Sequence, residues 1–458
     1  MQDMTTGPVR GHLLRVAGFI FATMVFQMLY YLVDLYFIGR VSKEAVAAVS
    51  LAGNLMFIVL AATQMLSVGA TALISHAAGR KDREETILIF NQSQVLSLTV
   101  GVLFFVVCFF TKELYVNKLS ADAATAQQGI EYLRWFIPAM SVQFALVAMG
   151  SALRGTGNLK PSMVMSVGSV LLNIILAPIL ILGWGTGRAY GAAGAGIASL
   201  IAIVVGGIGL TIYFVGHEKF LEFRLHDWGP RFDMWWRMLK IGVPAGTEFV
   251  LMAVYLFIVY AIIKPFGASA QAGFGVGMRI LQFFFLPALA IGFALAPVAG
   301  QNFGARRPDR IRESLREAAI LVTVTMVILT VACHIAPAGM MAILSDDAEV
   351  IRVDADYLNI ISYNFLASGL VFISGALFQA LGNTVPSLFA SAVRLLGFAI
   401  PALWLARQPS FQLEHVWYLS VASIIFQAIL SWLLLRREMD RKLSAMSSAA
   451  QGPGLATS

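Results

Sequence analysis

Long apolar stretches separated by short polar connections fill almost the whole chain. As a helix rising about 1.5 Å per residue, a stretch of about 20 apolar residues covers the roughly 30 Å hydrocarbon core of a bilayer. A lone strand leaves its backbone groups unsatisfied in lipid, so every stretch is predicted to be a helix. The twelve predicted spans are 14–38, 45–76, 86–111, 131–153, 161–184, 191–216, 236–263, 270–303, 312–335, 355–381, 385–407 and 414–435.

The basic residues predict the orientation of these spans. An even number of spans places both termini on the same side of the membrane. The termini and every second connection hold 21 of the 32 Lys and Arg residues, whereas the opposite connections hold 8. Lys and Arg accumulate in cytoplasmic loops, so both termini are predicted to be cytoplasmic.

The chain also contains an internal repeat. Each matching position in the second copy follows its counterpart in the first by the same number of residues, which is the number from Gly79 to Gly304. We call this number the repeat offset. The matching positions are Gly79, Gly150, Gly157, Asn158, Pro161 and Ser162 in the first copy, and Gly304, Gly375, Gly382, Asn383, Pro386 and Ser387 in the second. Six spans per copy give both copies the same orientation, which is the pattern of parallel transporter repeats.

The repeat and the polar connections divide the chain into predicted segments. These are a cytoplasmic N-terminus (1–13), an N-lobe (14–216), a cytoplasmic linker (217–235), a C-lobe (236–437) and a disordered cytoplasmic tail (438–458).

Composition supports this class of protein. Apolar residues make up 59% of the chain and charged residues 12%, against about 25% charged residues in soluble proteins. The net charge of +7 resides in short loops, which indicates membrane topology and argues against nucleic-acid binding. Cys108 and Cys333 lie in separate apolar spans and are interpreted as buried free thiols. The chain has no phosphate-binding GxxxxGK[ST] loop and no clustered catalytic side chains, so neither ATP-driven transport nor an enzyme is predicted.

Asp34 lies within the otherwise apolar first span. An ionised Asp at the centre of such a helix costs about 2.5–3.5 kcal/mol on insertion scales. One interpretation is that Asp34 reaches water near the outer interface, since the span ends four residues later. The favoured interpretation is a carboxylate that binds a proton or a cation, because acids within membranes are candidate functional residues.

Several motifs together resemble the multidrug and toxic compound extrusion (MATE) family. They are VDLYFIG followed by AVAAVS, LRGTGNLKPSM, LLNIILAPILI, YGAAGAGIAS, APVAGQNFGARRPDR and FQALGNTVPSLFASAVRLLGFAIP. The resemblance implies an all-α membrane protein with twelve transmembrane helices in two pseudo-symmetric six-helix lobes, arranged as a V. It also implies export of organic cations and amphipathic drugs, driven by H⁺ or Na⁺. The ion site of the family's N-lobe corresponds here to Asp34, Asn173 and Ser199, the last at a position where Thr is more usual.

Two departures from the family pattern concern this site. The family commonly has an acid four residues after the Asn, where this chain has Ala177, and a proline fifteen residues before the Asp, where this chain has Phe19. A residue four positions along a helix shares its face, so one carboxylate is missing beside Asn173. Hard cations favour several oxygen ligands, including charged ones. The sequence therefore favours H⁺ over Na⁺, with Na⁺ at Asp34 kept as an alternative.

Other polar residues within the spans have less definite roles. Glu248 in span seven is interpreted either as an interfacial carboxylate paired with Arg237 or Lys240, or as a second cation site in the C-lobe. For Arg279 and Arg394 a structural role is favoured. Candidate cavity-lining residues, each of which is alternatively an interhelical hydrogen-bonding residue, are Asn54, Gln64, Gln143, Gln282, Asn364 and Gln379.

The predicted function is a monomeric, multi-pass antiporter of the cytoplasmic (inner) membrane. It exports small cationic or amphipathic xenobiotics in exchange for H⁺ or Na⁺ and has no cofactor, nucleotide or nucleic-acid partner. The alternative is a flippase for lipids or lipid-linked oligosaccharides, as in related families. That alternative is disfavoured because only Arg279 and Arg394 are available within the spans to bind a pyrophosphate.

Overall fold

The computed structural model of the chain describes residues 1–120, 122–185, 187–335, 337 and 357–450, without the side chains of 54, 268, 269, 272, 276 and 447–450. Within these ranges the secondary structure is helical and contains no strand, which confirms the all-α class. The long helices are α1 (Val9–Gly39), α2 (Lys43–Gly79), α3 (Arg83–Leu119), α4 (Ala123–Gly155), α5 (Leu159–Leu182), α6 (Gly191–Gly216), α7 (Phe232–Ile263), α8 (Ala268–Gly304), α9 (Pro308–Ile335), α10 (Asn364–Ala380), α11 (Val385–Leu405) and α12 (Leu413–Ala450). Two 3₁₀ turns, Leu225–Trp228 and Lys264–Phe266, flank α7.

Eleven helices in the described part of the chain are long and apolar enough to cross a membrane, and α10 is a shorter apolar helix. The tenth predicted span is interrupted: residues 357–361 are helical, a turn follows at Ser362 and Tyr363, and α10 then begins. The Ser362 hydroxyl donates to the carbonyl of Asn359 at 3.1 Å. Serine hydroxyls compete with the backbone for such carbonyls, but Ser75 and Ser93 make the same bond inside unbroken helices. The break is thus a finding of the structure that neither the apolar pattern nor this hydroxyl explains.

The last helix extends well beyond its predicted end. Disorder was predicted from residue 438, whereas α12 continues to Ala450, and 451–458 lie outside the described residues. Glu438 forms an ion pair with Arg441 at 2.7 Å and accepts a hydrogen bond from Asn383 at 2.9 Å. The Asn383 contact attaches the polar extension to the turn before α11, and a composition-based prediction does not include it.

The chain packs as two units. The first contains Met1–Asp3 and Gly18–Gly246, and the second contains Met4–Ala17 and Thr247–Ser458. The division falls inside α1 and α7, not in the polar linker, while the lobe boundaries read from the sequence stay a prediction. In the first unit, α2 and the first part of α7 meet closely, because a Cβ at Gly242 would collide with the carbonyl oxygen of Met65 and one at Gly69 with that of Met238.

The linker is held against α3 by two buried amide side chains. Asn91 and Gln92 are both 0% exposed. Asn91 donates to the carbonyl of Glu222 at 3.0 Å and accepts from the indole of Trp228 at 2.9 Å. Gln92 makes four hydrogen bonds to linker residues between Asp227 and Trp235. A stretch with the polarity of an exposed loop is therefore part of the first unit.

The repeat found in the sequence is also present in the backbone. Lys81 and Arg306, which are separated by the repeat offset, both adopt left-handed conformations, with φ of 61° and 55°. Gly157 and Gly382, a second pair at the same offset, have φ of 76° and 72°. Non-glycine residues rarely occupy this region, so the same unusual turn at the end of α2 and of α8 indicates a common local structure in both copies.

The motif asparagines of the repeat make equivalent contacts. Asn158 donates to Glu218 at 2.9 Å, and Asn383 donates to Glu438 at 2.9 Å. Glu218 follows α6, whereas Glu438 lies within the C-terminal part of α12. The turn between the fourth and fifth helices of each copy is thus closed by a glutamate near the end of the sixth helix.

Candidate functional site

The residues predicted from the sequence for the N-lobe site occur together in the first unit. Asn173 on α5 and Ser199 on α6 are 1% and 2% exposed. The amide nitrogen of Asn173 donates to the hydroxyl oxygen of Ser199 across 3.5 Å. Asp34 on α1 is partly buried. The interaction that links Asp34 to this pair passes through a residue that sequence reasoning missed.

That residue is Tyr30, one helical turn before Asp34. Its hydroxyl lies 2.8 Å from the hydroxyl of Ser199 and also hydrogen-bonds to the carboxylate of Asp34. We call Tyr30, Asp34, Asn173 and Ser199 the Tyr30 network. It runs from α1 through α6 to α5 and joins one carboxylate to three neutral polar groups.

The donors in the Tyr30 network have a consistent order. When Asp34 is ionised it only accepts, so Tyr30 donates to Asp34, Ser199 donates to Tyr30, and Asn173 donates to Ser199. A protonated Asp34 can itself donate a hydrogen bond, so the Tyr30 hydroxyl can then accept from Asp34 and no longer has to donate to it. The arrangement therefore responds to the addition of a single proton at one end.

The position where the family resemblance implies a second acid is occupied by a fully buried alanine. Ala177 is 0% exposed and follows Asn173 by one turn of α5. Phe19, where a proline is expected, lies inside an uninterrupted α1. The site thus keeps one carboxylate, as the sequence indicates, on a helix that contains no proline.

The second unit contains a similar chain of contacts. Tyr255, which follows Tyr30 by the repeat offset, has its hydroxyl 2.8 Å from that of Ser420 on α12. Asn364 donates to Ser420 at 3.5 Å. The position equivalent to Asp34 is Val259, which is 1% exposed. At the repeat offset the tyrosine is matched, whereas Ser199 and Asn173 correspond to Ile424 and Phe398. The second unit therefore makes a similar contact with a serine and an asparagine at other positions and has no carboxylate at the position of Asp34.

Glu248 takes a different place on α7. The hydroxyl of Ser387, on α11, hydrogen-bonds to the Glu248 carboxylate. Arg237, considered from the sequence as a partner of Glu248, instead forms an ion pair with Glu85 at 3.3 Å. The two interpretations of Glu248 stay predictions, with a contact to α11 added.

The proposed cavity-lining residues are dispersed. Asn364 and Gln379 are buried on α10 at 7% and 8% exposure. Gln64 and Gln143 are partly buried, and Gln282 is exposed. The side chain of Asn54 lies outside the described residues. Of this set, Asn364 is placed in a polar cluster by a specific side-chain hydrogen bond.

The two intramembrane arginines differ from each other. Arg279 is exposed on α8. Arg394 on α11 has its guanidinium 4.9 Å from the centre of the Tyr255 ring and donates to the side chain of Gln427 at 3.4 Å. Among the described residues, no carboxylate forms an ion pair with Arg394.

Comparisons with known proteins agree with the family resemblance. The profile of the MatE family matches residues 20–179 and 244–405. A protein of Thermotoga maritima named "Probable multidrug resistance protein NorM" is 24% identical over 93% of this chain and 92% of its own length. "Multidrug export protein MepA" of Staphylococcus haemolyticus is 26% identical over 78% of each chain.

The fold is shared with solved transporter structures. The solved structure of a MOP superfamily transporter from Pyrococcus furiosus superposes with a TM-score of 0.88 at 23% identity and covers 96% of this chain and 98% of that one. The apolar helices make the chain a multi-pass membrane protein, and the family profile covers well over half of its length. The chain therefore belongs to the MatE family, the family of multidrug and toxic compound extrusion transporters.

Proposed function

We propose that the chain is a secondary active antiporter of the cytoplasmic (inner) membrane, with both termini in the cytoplasm. It exports small cationic or amphipathic xenobiotics in exchange for H⁺, and Asp34 is the coupling carboxylate. Family membership and the multidrug resistance and export names of the relatives support the substrate class. The excess of Lys and Arg in alternate connections supports the orientation.

The Tyr30 network is the observation that carries this proposal. Its polar partners for Asp34 are a phenol, a hydroxyl and an amide. A hard cation prefers ligands that include further negative charge, and the position of the family's second acid is filled by buried Ala177. A proton needs only the one carboxyl group, so these surroundings support H⁺, with Na⁺ as the alternative ion.

Coupling requires that the two protonation states of Asp34 favour different conformations. The ionised carboxylate accepts the Tyr30 hydrogen bond and orders the donors as far as Asn173 on α5. The protonated carboxyl group releases that order, so the hold of α1 on α5 and α6 changes with the proton. In this proposal the transporter acts as a monomer, and no resident cofactor, nucleotide or metal takes part.

The test is dye efflux from proteoliposomes with the full chain, driven by an imposed pH gradient. Asp34→Asn keeps the shape of the side chain and removes the titratable group. We expect the variant to reduce efflux to the level of empty liposomes at equal protein content. Glu113→Gln, which neutralises an exposed acid on α3, is the matched control and should retain wild-type efflux. Wild-type efflux by Asp34→Asn would remove Asp34 from the mechanism.

The choice of ion is tested in the same vesicles. An imposed Na⁺ gradient at equal pH on both sides should drive little efflux compared with the pH gradient. Efflux that follows the Na⁺ gradient alone would replace H⁺ by Na⁺ as the coupling ion. Dye that moves under neither gradient, together with transfer of a labelled lipid-linked saccharide between leaflets, would support the flippase alternative instead.

A further inference from the structure

The second unit contains a cluster of polar side chains that takes no part in the proposed proton site. Arg394 of α11 lies over the ring of Tyr255 on α7 and donates to Gln427 on α12. Gln427 in turn donates to the hydroxyl of Ser391 at 3.0 Å. We call Tyr255, Arg394, Gln427 and Ser391 the Arg394 cluster. Three helices of one unit contribute to it.

The guanidinium of Arg394 is incompletely satisfied within this cluster. Arginine has five N–H donors, and its buried Nε has no hydrogen-bond partner among the described residues. Arg394 is near the middle of the apolar helix Val385–Leu405, where a charge without a counterion is costly. Within the described ranges it has no ion pair. In the described part of the chain the cluster therefore holds a positive charge that no carboxylate neutralises.

Glu248 is too distant to be that anion. Its contact is Ser387, whereas Tyr255 contacts Arg394. The two pairs are separated by seven residues on both α7 and α11, which is about 10 Å along each helix. An ion pair needs atoms within about 4 Å. The acid and the base thus lie at two separate levels along the contact between α7 and α11.

The internal repeat shows that the fold does not need this arginine. The positions of Arg394 and Gln427 correspond, at the repeat offset, to Ser169 and Ala202. In the first unit Ser169 donates to the carbonyl oxygen of Ala202 at 2.6 Å. The same helix contact is therefore made with a hydroxyl and the backbone alone. A structural role for Arg394, favoured from the sequence, does not explain why the second unit has a charge there.

Arg394 and Tyr255 are also accessible. Both side chains are partly exposed, and the ring of Phe398 lies 4.8 Å from that of Tyr255. A planar guanidinium binds a carboxylate through two parallel hydrogen bonds, and the adjacent Tyr255 ring, backed by Phe398 at 0% exposure, suits the apolar body of an amphipathic molecule. The cluster thus has the components of a site for an aromatic carboxylate.

We propose that the Arg394 cluster binds the carboxylate of transported amphipathic compounds. This inference rests on the proposed export function and names the residues that bind those substrates of the transporter that carry a carboxylate. Arg394 supplies the charge, Gln427 orients the guanidinium, and the Tyr255 ring, which packs on the buried Phe398, contacts the apolar part of the substrate. Asp34, in the other unit, keeps its separate role with the proton.

The test compares a rhodamine dye that has a free carboxyl group with the methyl ester of the same dye. The two differ in one negative charge, and efflux of each is measured in proteoliposomes under the same pH gradient. Arg394→Met should lower efflux of the acid relative to the ester by about tenfold or more, the range expected for a lost charge-assisted hydrogen bond. Arg279→Met, at the exposed arginine of α8, should leave the ratio unchanged.

Each result has a distinct meaning. If the wild-type chain exports neither dye, the proposed export function fails. If it exports both and Arg394→Met lowers both equally, the carboxylate site is refuted while export stands. If Arg394→Met does not reach the membrane, binding of the two dyes to purified wild-type protein decides. Weaker binding of the ester by about tenfold supports the site, and equal binding refutes it.

Discussion

Gln92 makes the linker part of the first unit, and this attachment can be tested by one substitution. Its amide nitrogen donates to the carbonyls of Asp227 and Gly229 at 2.6 and 2.8 Å. Its amide oxygen accepts from the backbone of Arg231 at 2.9 Å and the indole of Trp235 at 3.0 Å. Gln92→Leu keeps the approximate volume of the side chain and removes all four hydrogen bonds.

The expected cost follows from those four contacts. A hydrogen bond within a protein contributes about 1 kcal/mol net, so complete loss destabilises the first unit by about 4 kcal/mol. Water reaching the partly buried linker lowers this figure. The linker should detach before the helices unfold, because the lost contacts all lie between α3 and the segment that follows Glu222.

Gln94 is the matched control for this experiment. It lies two residues further along α3, is 2% exposed, and its amide nitrogen has no hydrogen-bond partner in the described part of the chain. Gln94→Leu replaces an unsatisfied buried nitrogen by an apolar group, which is neutral or stabilising. The same substitution at neighbouring positions is thus expected to have opposite effects.

The measurement is limited trypsin digestion of membranes, followed by mapping of cleavage at Arg224 and Arg231, together with the melting temperature in detergent. Gln92→Leu should be cut in the linker faster than wild type and should melt at a lower temperature. Gln94→Leu should match or exceed wild type in both measurements. Equal behaviour of the two variants would show that these hydrogen bonds do not hold the linker.

Three further predictions concern the site and the helices. Tyr30→Phe removes the hydroxyl between Asp34 and the rest of the Tyr30 network. A hydrogen bond to a charged group contributes about 1.5 kcal/mol, so its loss should reduce proton-driven efflux about tenfold at an unchanged protein level. Gly242→Ala should lower the melting temperature, since overpacking costs about 1–3 kcal/mol, whereas Gly168→Ala, whose Cβ meets nothing within 4 Å, should keep or raise it. The backbone N–H of the third helical residue of α4, at 2.7 Å, holds the pKa of the Asp122 carboxyl below its usual value. A lowered folded pKa stabilises the protein fully above the unfolded value near pH 4, and this stabilisation is lost as the pH falls through the lower folded value. The advantage of wild type over Asp122→Asn in thermal melts should therefore be full at neutral pH and decrease progressively as the pH falls below about 4.

The sequence was sufficient for the class of protein, for nearly all helices and for the repeat, because bilayer thickness and turn chemistry leave local patterns. It was not sufficient to predict which side chains contact one another. Tyr30 lies in a run with Tyr31, and composition does not distinguish the two. The helical spacing of four residues to Asp34 selects Tyr30, and the repeat offset to Tyr255 marks it again. Its contact with Ser199 depends on the packing of α1 beside α6, which only the fold supplies.

Asn91 and Gln92 were missed for a related reason. Both lie at the polar start of α3, where an amide side chain is ordinary at a membrane interface. Their burial follows from the path of the linker, whose contacting carbonyls come much later in the chain, at Glu222 and Asp227. Arg394 shows the converse case. Its position within a span was evident, but its lack of a carboxylate partner became visible only once the described neighbours were placed.

The closure of each motif turn by a late glutamate limits how the chain can be divided. Asn158 requires Glu218, and Asn383 requires Glu438, so each six-helix copy is complete only with a few residues past its last crossing. A protein expressed as two fragments should keep Glu218 and the linker as far as Trp235 in the first fragment, and a shortened chain should keep Glu438. The two glutamates are not repeat equivalents, since Glu438 corresponds to Tyr213 at the repeat offset, so each copy makes this closure from a different position.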